Sequence, residues 1–229
     1  MANVEDGYTA RYTERRGGKR YPVEFVVRMF LGSYPGLRMS RADYAGSALL
    51  DLGAGDGRNL PLLHDLGFRT SAVEITEEIC IQLRALSDEL GLGTDVRKGS
   101  NAAIPFDSGV FDYVVSSHAL YYVQPGQHFG RTVSEVARVM RPGGVLVASL
   151  PKKYDRYILR DAIPAGDNHL VVTRDPLGIR NGMVFRVFET EQEIRETFAP
   201  AFHDLQIGWI ENDFFGIEER LWIVKMIRA

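Results

Sequence analysis

The sequence predicts an α/β fold in which a doubly wound, mostly parallel sheet is covered by helices on both faces. From Ala48 to about Leu150, short β-branched runs alternate with longer segments whose apolar residues recur every three or four positions. That alternation is typical of βαβ units. The expected strands are Ala48–Leu52, Arg69–Ile75, Thr94–Lys98, Phe111–Ser117 and Gly144–Leu150. The expected helices are Arg58–Leu66, Glu77–Leu90 and Phe129–Met140.

The flanking segments are predicted to complete one domain. Residues 1–47 form an N-terminal cap segment with one helix, Val23–Leu31, and residues 48–229 form the main domain. Residues 152–182 are turn-rich and charged, which predicts a lid-like insertion after the fifth strand. The tail then has a strand at Met183–Phe188 and a helix opened by Thr190 and Glu193, and two strands near Phe202–Ile210 and Leu221–Ile227 would complete the sheet.

Composition narrows the class of protein. The 229 residues are 45% hydrophobic and 25% charged, with a net charge of −3 and a pI near 6.0. This balance disfavours nucleic acid as the main partner. Cys80 is the single cysteine, which predicts a reducing compartment, and we expect the cytoplasm. The polar N-terminal stretch does not resemble a signal peptide, and no run of 18 apolar residues predicts a membrane span.

A glycine-rich loop follows the first predicted strand in LLDLGAGDGRNL, residues 49–60. Glycines at alternate positions, Gly53, Gly55 and Gly57, suit a bent backbone that a ligand approaches closely. Ligands of open α/β sheets bind beyond the carboxyl ends of the strands, where this loop lies. The nicotinamide fingerprint G-x-G-x-x-G would need a third glycine where Arg58 stands, so the spacing disfavours a dinucleotide.

This loop resembles the first motif of the class I methyltransferases that use S-adenosylmethionine. Asp51, Gly53, Gly55 and Gly57 fill the family's pattern of an acidic residue, any residue, then G-x-G-x-G. The resemblance covers about residues 48–150. It implies a Rossmann-like seven-stranded sheet with an antiparallel last strand, S-adenosylmethionine as cofactor and S-adenosylhomocysteine as product.

Further motifs follow at the family's intervals. Glu74, in SAVEI, is by this resemblance the acceptor for the two ribose hydroxyls. In GSNAAIPFDSGVFDYVVSSHALYYV, the family often has an acidic residue beside the leading glycine, where this chain has Ser100. We therefore assign the adenine contact to Asn101 and Ala102 or their backbone, and place Ser117 beside the cofactor. VARVMRPGGVLVASLP resembles the family's helix, turn and fifth strand.

The acceptor side of the site is predicted from the segment after the fourth strand. His118 is the candidate base for a hydroxyl acceptor, or a histidine packed under the cofactor. Tyr121 and Tyr122 are candidates to line the acceptor pocket, although such aromatic residues also serve as core. The histidines show no metal-ligand spacing, and no metal is expected.

A basic cluster near the N-terminus is the second candidate for acceptor binding. Arg15 and Arg16, with Lys19 and Arg20, could hold a phosphate or carboxylate, or could form a solvated arm. Tyr8, Tyr12 and Tyr21 could fold over the cofactor, as in many small-molecule members of the family.

Together these features predict methyl transfer to a small, anionic or sugar-like acceptor, with oxygen favoured. Three alternatives stay open: N-methylation of an amino sugar or small amine, a non-catalytic subunit that keeps the cofactor fold, and a homodimer as the assembled state.

Overall fold

The computed structural model describes residues 4–14 and 20–229. In this part of the chain the helices are α1 Val4–Glu14, α2 Glu24–Leu31, α3 Leu60–Asp65, α4 Glu77–Leu90, α5 Phe129–Val139 and α6 Glu191–Phe198. The strands are β1 Ala48–Leu52, β2 Arg69–Glu74, β3 Asp95–Lys98, β4 Phe111–Ser116, β5 Tyr122–Val123, β6 Met140–Pro151, β7 Ile163–Pro164, β8 His169–Val171, β9 Val184–Arg186, β10 Phe202–Phe214 and β11 Ile217–Arg228.

A seven-stranded sheet in the order β10-β11-β6-β4-β1-β2-β3 forms the centre of the fold. Strand β1 pairs in parallel with both β2 and β4, whereas β11 is antiparallel to β6 and β10. The mostly parallel sheet with an antiparallel last strand is therefore confirmed. The strand order reverses between β1 and β4, which is where an open α/β sheet leaves a crevice for a ligand.

Alternating side chains of the central strands pack against helices on opposite faces. Leu50 and Leu52 of β1 belong to the apolar cluster that contains Val136 of α5. Leu49 belongs to the cluster that contains Phe30 of α2. All five residues of β1 are buried, as expected for a strand covered on both faces.

Strand β6 begins at Met140, four residues before the predicted Gly144. Its pairing with β4 shifts between Phe111 and Tyr113, so the Pro-Gly-Gly segment forms an irregularity within the strand. Gly143 has a φ of 78°, a conformation that favours glycine. The predicted turn thus joins the strand instead of preceding it.

A second sheet, in the order β5-β9-β8-β7, occupies the insertion and its neighbours. The predicted strand Met183–Phe188 belongs to this second sheet and not to the main one. Its regular part, Val184–Arg186, pairs with β5 and β8 instead. A separate small core that includes Tyr121, Val172 and Phe185 supports this sheet, which gives β9 an apolar partner away from the main sheet.

No helix within residues 4–14 and 20–229 combines the length and the apolar character that a bilayer crossing requires.

Candidate active site

A cavity of about 460 Å³ opens at the carboxyl ends of β1, β2 and β4. Its volume falls in the range of roughly 300–1,000 Å³ that is typical of small-ligand sites. One wall comes from the glycine loop and Glu74, and another from the segment after β4. Helix α1 and the second sheet supply the remaining sides, so the cavity lies at the reversal of strand order.

Two of the three loop glycines allow other parts of the protein to approach the loop closely. Gly53 lines the cavity with a φ of 77°, and a Cβ there would collide with Cβ of Ala119. A Cβ on Gly55 would lie 2.7 Å from the hydroxyl of Tyr12. Gly57 was predicted to approach the cofactor, but a Cβ there would meet the Leu83 and Leu86 side chains at 2.8 Å. In this structure Gly57 allows α4 to pack closely against the loop, because the side from which a Cβ would project faces leucine side chains of α4.

Glu74 lies at the end of β2, lines the cavity and is 9% exposed. Its Oε1 accepts a hydrogen bond from Gly55 N at 2.7 Å, and its Oε2 accepts one from Ile75 N at 2.9 Å. Burial raises the pKa of this carboxyl. Since each carboxylate oxygen offers two lone pairs, each retains one acceptor site for a ligand hydroxyl.

Asp51 is fully buried and does not line the cavity, contrary to the expectation of direct cofactor contact. Asp51 lies in β1, behind the glycine loop that separates its side chain from the cavity. Its Oδ2 accepts a hydrogen bond from Asn59 Nδ2 at 3.4 Å, whereas its buried Oδ1 has no hydrogen-bond partner among the described residues. Burial raises the pKa of Asp51 to about 7.

The turn after β3 contributes Asn101 to the cavity. Its Nδ2 donates to the backbone oxygens of Ala119 and Leu120, which ties this turn to the segment after β4. Ala102 is 2% exposed and does not line the cavity, and its contact with the adenine stays a prediction. Ser117 lines the cavity, and within the described part of the chain its buried Oγ finds no partner.

Helix α1 covers the glycine loop. Tyr8 and Tyr12 line the cavity and stack with ring centroids 6.1 Å apart. The Tyr8 hydroxyl lies 2.6 Å from the Tyr122 hydroxyl, and Thr9 hydrogen-bonds Thr76 at 3.2 Å. These contacts hold α1 against both walls of the site.

His118 follows β4 in a left-handed conformation with a φ of 55°. Its backbone N–H donates to Oγ of Ser149, on β6, at 2.9 Å, and this bond supports a conformation that costs a non-glycine residue free energy. Burial, reinforced by the positive charges of Arg180 and Arg58, lowers the pKa of His118 to about 4. The imidazole is therefore neutral at pH 7 and can accept a hydrogen bond.

Arg180 brings a positive charge to the cavity from the insertion. Its Nη1 donates to Asp175 Oδ1 at 2.9 Å, and its backbone N–H donates to Asp175 Oδ2. Its buried Nε has no partner among residues 4–14 and 20–229. The guanidinium is thus held by Asp175 and by the side chain of Tyr8, and Nε is the donor for which the described residues offer no partner.

A family model described as a methyltransferase domain matches residues 50–148. A probable S-adenosylmethionine-dependent methyltransferase of Mycolicibacterium smegmatis is 30% identical over 109 residues, which is 48% of this chain and 40% of that protein. An uncharacterized methyltransferase of Mycobacterium bovis is 36% identical over 102 residues, 44% of this chain and 39% of that protein. The match thus spans less than half the length of these relatives.

A solved S-adenosylmethionine-dependent methyltransferase from Methanosarcina mazei has the same fold, with a TM-score of 0.63 at 18% identity. It aligns over 86% of this chain and 98% of its own. Residues 50–148 therefore belong to a methyltransferase domain, and the fold around them is that of S-adenosylmethionine-dependent methyltransferases. The cofactor of this family is S-adenosylmethionine.

The methyltransferase domain fits that cofactor by its own side chains. Glu74 offers two acceptor sites for a diol, and the buried hydroxyl of Ser117 has no partner in the described part of the chain. The carboxyl group of Glu74 lines this wall of the cavity and suits a ligand with a positive charge. Among the described residues, no cluster of three His, Cys, Asp or Glu side chains could hold a metal ion.

The two tyrosines predicted to line the acceptor pocket of the methyltransferase occupy different places. Tyr122 lines the cavity beside Tyr8. Tyr121 is 1% exposed and does not line the main cavity, but it lies with His118 against a second, much smaller cavity. Tyr121 also packs edge-on against Phe185, with centroids 4.9 Å apart, so its main role is in the core of the second sheet.

The predicted N-terminal anion clamp is not part of the described cavity. Tyr21 is 73% exposed and absent from the lining, which contradicts the prediction of ligand contact. The apolar neighbours Val23 and Phe25 pack inward against the α2 cluster, which leaves Tyr21 on the outer side. Arg15 and Arg16 lie outside the described residues.

Other residues of the methyltransferase site were not predicted. Gln124, Pro125 and Met183 line the cavity, and Ser149 supports His118 from the neighbouring strand. Gln124 and Pro125 directly follow β5. The sequence could have indicated their position only through that strand, which is two residues long. Ser149 carries no local signal, because its role depends on the pairing of β6 with β4.

Proposed function

We propose that this chain transfers the methyl group of S-adenosylmethionine to an oxygen atom of a small acceptor that carries an anionic group. The observation that carries this proposal is Arg180, a cationic residue of the cavity lining whose buried Nε has no partner among the described residues. A guanidinium suits a carboxylate or phosphate because its donors are arranged as a fork. Nucleotide-linked sugars and small hydroxylated acids meet this description. The free, buried Cys80 supports the cytoplasm as the compartment.

When bound, S-adenosylmethionine supplies an electrophilic methyl group on a positively charged sulfur. Formation of the new C–O bond would leave the electrons of the C–S bond on the sulfur of the cofactor and would release the hydroxyl proton of the acceptor. His118 lines the cavity, and its neutral imidazole would hydrogen-bond that hydroxyl and take up its proton. The main contribution of the protein is to align the acceptor.

N-methylation of an amino sugar or small amine is the second candidate. The observation that favours it is the pKa of about 4 for His118, since such an imidazole is a weak base for a hydroxyl. An amine that arrives unprotonated needs no base. Replacing His118 by Ala separates the two reactions: oxygen transfer should slow by about 100-fold at unchanged cofactor affinity, and amine transfer much less.

The first test is a product screen by mass spectrometry. The protein is incubated with S-adenosylmethionine and matched pairs of acceptors, each a nucleotide sugar or hydroxy acid together with its uncharged analogue. Methylated products should come from the anionic member of each pair. Equal turnover of the uncharged member would contradict the role of the anion.

Arg180→Gln then tests the residue itself. It should raise KM for the anionic acceptor by about 10- to 100-fold, the worth of one charged hydrogen bond, while cofactor affinity changes little. Arg174→Gln is the matched control, because that arginine belongs to the same insertion and its side chain is 84% exposed. A loss confined to cofactor binding would show that Arg180 holds the cofactor and not the acceptor.

A further inference from the structure

Asp51 is a buried carboxyl group that the transfer reaction does not use. It is 0% exposed, and one of its oxygens lacks any hydrogen-bond partner among the described residues. An ionised carboxylate in such a place is costly unless a cation or several donors face it. Its one described donor is the Asn59 amide, at the long distance of 3.4 Å.

The charged groups around Asp51 are negative. Glu74 approaches from the end of β2 and Asp56 from the glycine loop, and both disfavour a further negative charge on Asp51. Arg58 is the cation of this loop, but its Nε and Nη2 both donate to the Asp56 carboxylate at 2.8 Å. From the α2 side, Asn59 Oδ1 accepts the backbone N–H of Val23, so that side brings a neutral group.

The cofactor and the product of this family differ in charge at this wall. S-adenosylmethionine carries a sulfonium, and S-adenosylhomocysteine carries a neutral thioether, whereas their amino acid and adenosine parts are the same. Glu74 lines the cavity, and the buried Asp51 lies behind it, so a cation in the cavity favours the ionised form of both carboxyl groups, and a thioether does not. The two ligands should therefore differ in their effect on the protonation of Asp51.

We propose that Asp51 holds a proton when no cation occupies the cavity and releases it to solvent when a sulfonium binds. This would make the domain prefer its charged substrate to its neutral product. Asp51 is then a positioning residue that senses ligand charge from behind the glycine loop. The inference rests on the cofactor of the family and not on the acceptor proposed above.

Proton release predicts how affinity depends on pH. If binding of S-adenosylmethionine releases one more proton than binding of the product, the ratio of the two dissociation constants changes by up to about tenfold per pH unit while Asp51 starts protonated. The preference for S-adenosylmethionine should rise with pH and level off above about pH 7, where the carboxyl is already ionised. Groups common to both ligands cancel in this ratio.

The experiment is isothermal titration of the wild-type chain with each ligand, at several pH values and in two buffers of different ionisation enthalpy. The dependence of the heat on the buffer counts the protons released. We expect release for S-adenosylmethionine to exceed release for S-adenosylhomocysteine by a large fraction of one proton near pH 6. Equal release, with a ratio that is independent of pH, would overturn the inference. Failure of both ligands to bind would instead contradict the cofactor assignment.

Three variants sharpen the result. Asp51→Asn should remove the pH dependence of the ratio and weaken S-adenosylmethionine more than the product. Asp65→Asn is the matched control, since that carboxylate lies on α3 with its side chain 81% exposed, and it should leave the ratio unchanged. Asn59→Ala removes the hydrogen bond that lowers the pKa of Asp51, so the rise in preference for S-adenosylmethionine should move to higher pH. This variant provides a second test of the inference if Asp51→Asn does not fold.

Discussion

Glu74→Gln tests the geometry of the cofactor wall. Each Glu74 oxygen already accepts one backbone N–H, at 2.7 and 2.9 Å, so the carboxylate keeps two acceptor sites, which matches the two hydroxyls of a ribose. The amide in the variant loses one acceptor and points a donor at a backbone N–H. A hydrogen bond to a charged group contributes about 1.5–3 kcal/mol, which corresponds to an affinity loss of about 10- to 100-fold.

The assay is titration with S-adenosylhomocysteine, whose binding requires no acceptor. Glu78→Gln provides the control, because Glu78 is an exposed glutamate at the start of α4, four residues away. Adenosine and 2′,3′-dideoxyadenosine serve as competitors, and the variant should lose affinity for adenosine only. If folded Glu74→Gln bound the product within about twofold of the wild type, the assignment of the ribose to Glu74 would be wrong.

Three further predictions concern stability. Gly57→Ala should destabilise the fold by about 2–4 kcal/mol in denaturant titrations, since it adds a Cβ at positive φ against two leucine side chains; a loss below about 0.5 kcal/mol would contradict the packing role. Ser149→Ala leaves the His118 N–H without its acceptor and should cost about 1–3 kcal/mol, whereas Ser149→Thr, which keeps the hydroxyl, should lose less. Asp51→Asn should raise the free energy of unfolding by at most about 4 kcal/mol at pH 8 and by little near pH 4. The reason is that a carboxyl group whose pKa is raised in the folded state makes the wild type less stable as the pH rises. Equal effects at both pH values would refute the raised pKa of Asp51.

The main sheet could be predicted from the sequence because its strands have strong local signals. β1 and β4 are continuous apolar runs bounded by turn residues, and their predicted bounds differ from the observed ones by at most one residue. The start of β6 could not be predicted, since Pro-Gly-Gly normally ends a strand and here an irregular pairing absorbs it. The second sheet has strands of two or three residues, too short to show a periodic pattern.

The site was predictable where a motif fixes the backbone, and much less so elsewhere. Gly53 and Glu74 line the cavity as expected, because one loop and one strand end determine their positions. Gly57 belongs to the same motif but faces α4, a distinction that depends on tertiary packing. Tyr21 was predicted to contact the ligand but is exposed, because an exposed tyrosine and a ligand-binding tyrosine have the same sequence pattern.

Tyr122 pairs with Phe185 in the small sheet, so the residues around the cavity belong to two separate sheets. The cofactor wall rests on the large sheet, whereas Arg180, Met183 and Tyr122 belong to the small sheet or to the loops that join its strands. The two sheets share no strand, so we expect changes of length in residues 152–182 to leave the register of β1, β2 and β4 unchanged. Sequence drift in this insertion can therefore remodel one side of the cavity independently of the other, and a chimera that exchanges the insertion between related chains should keep its affinity for S-adenosylhomocysteine.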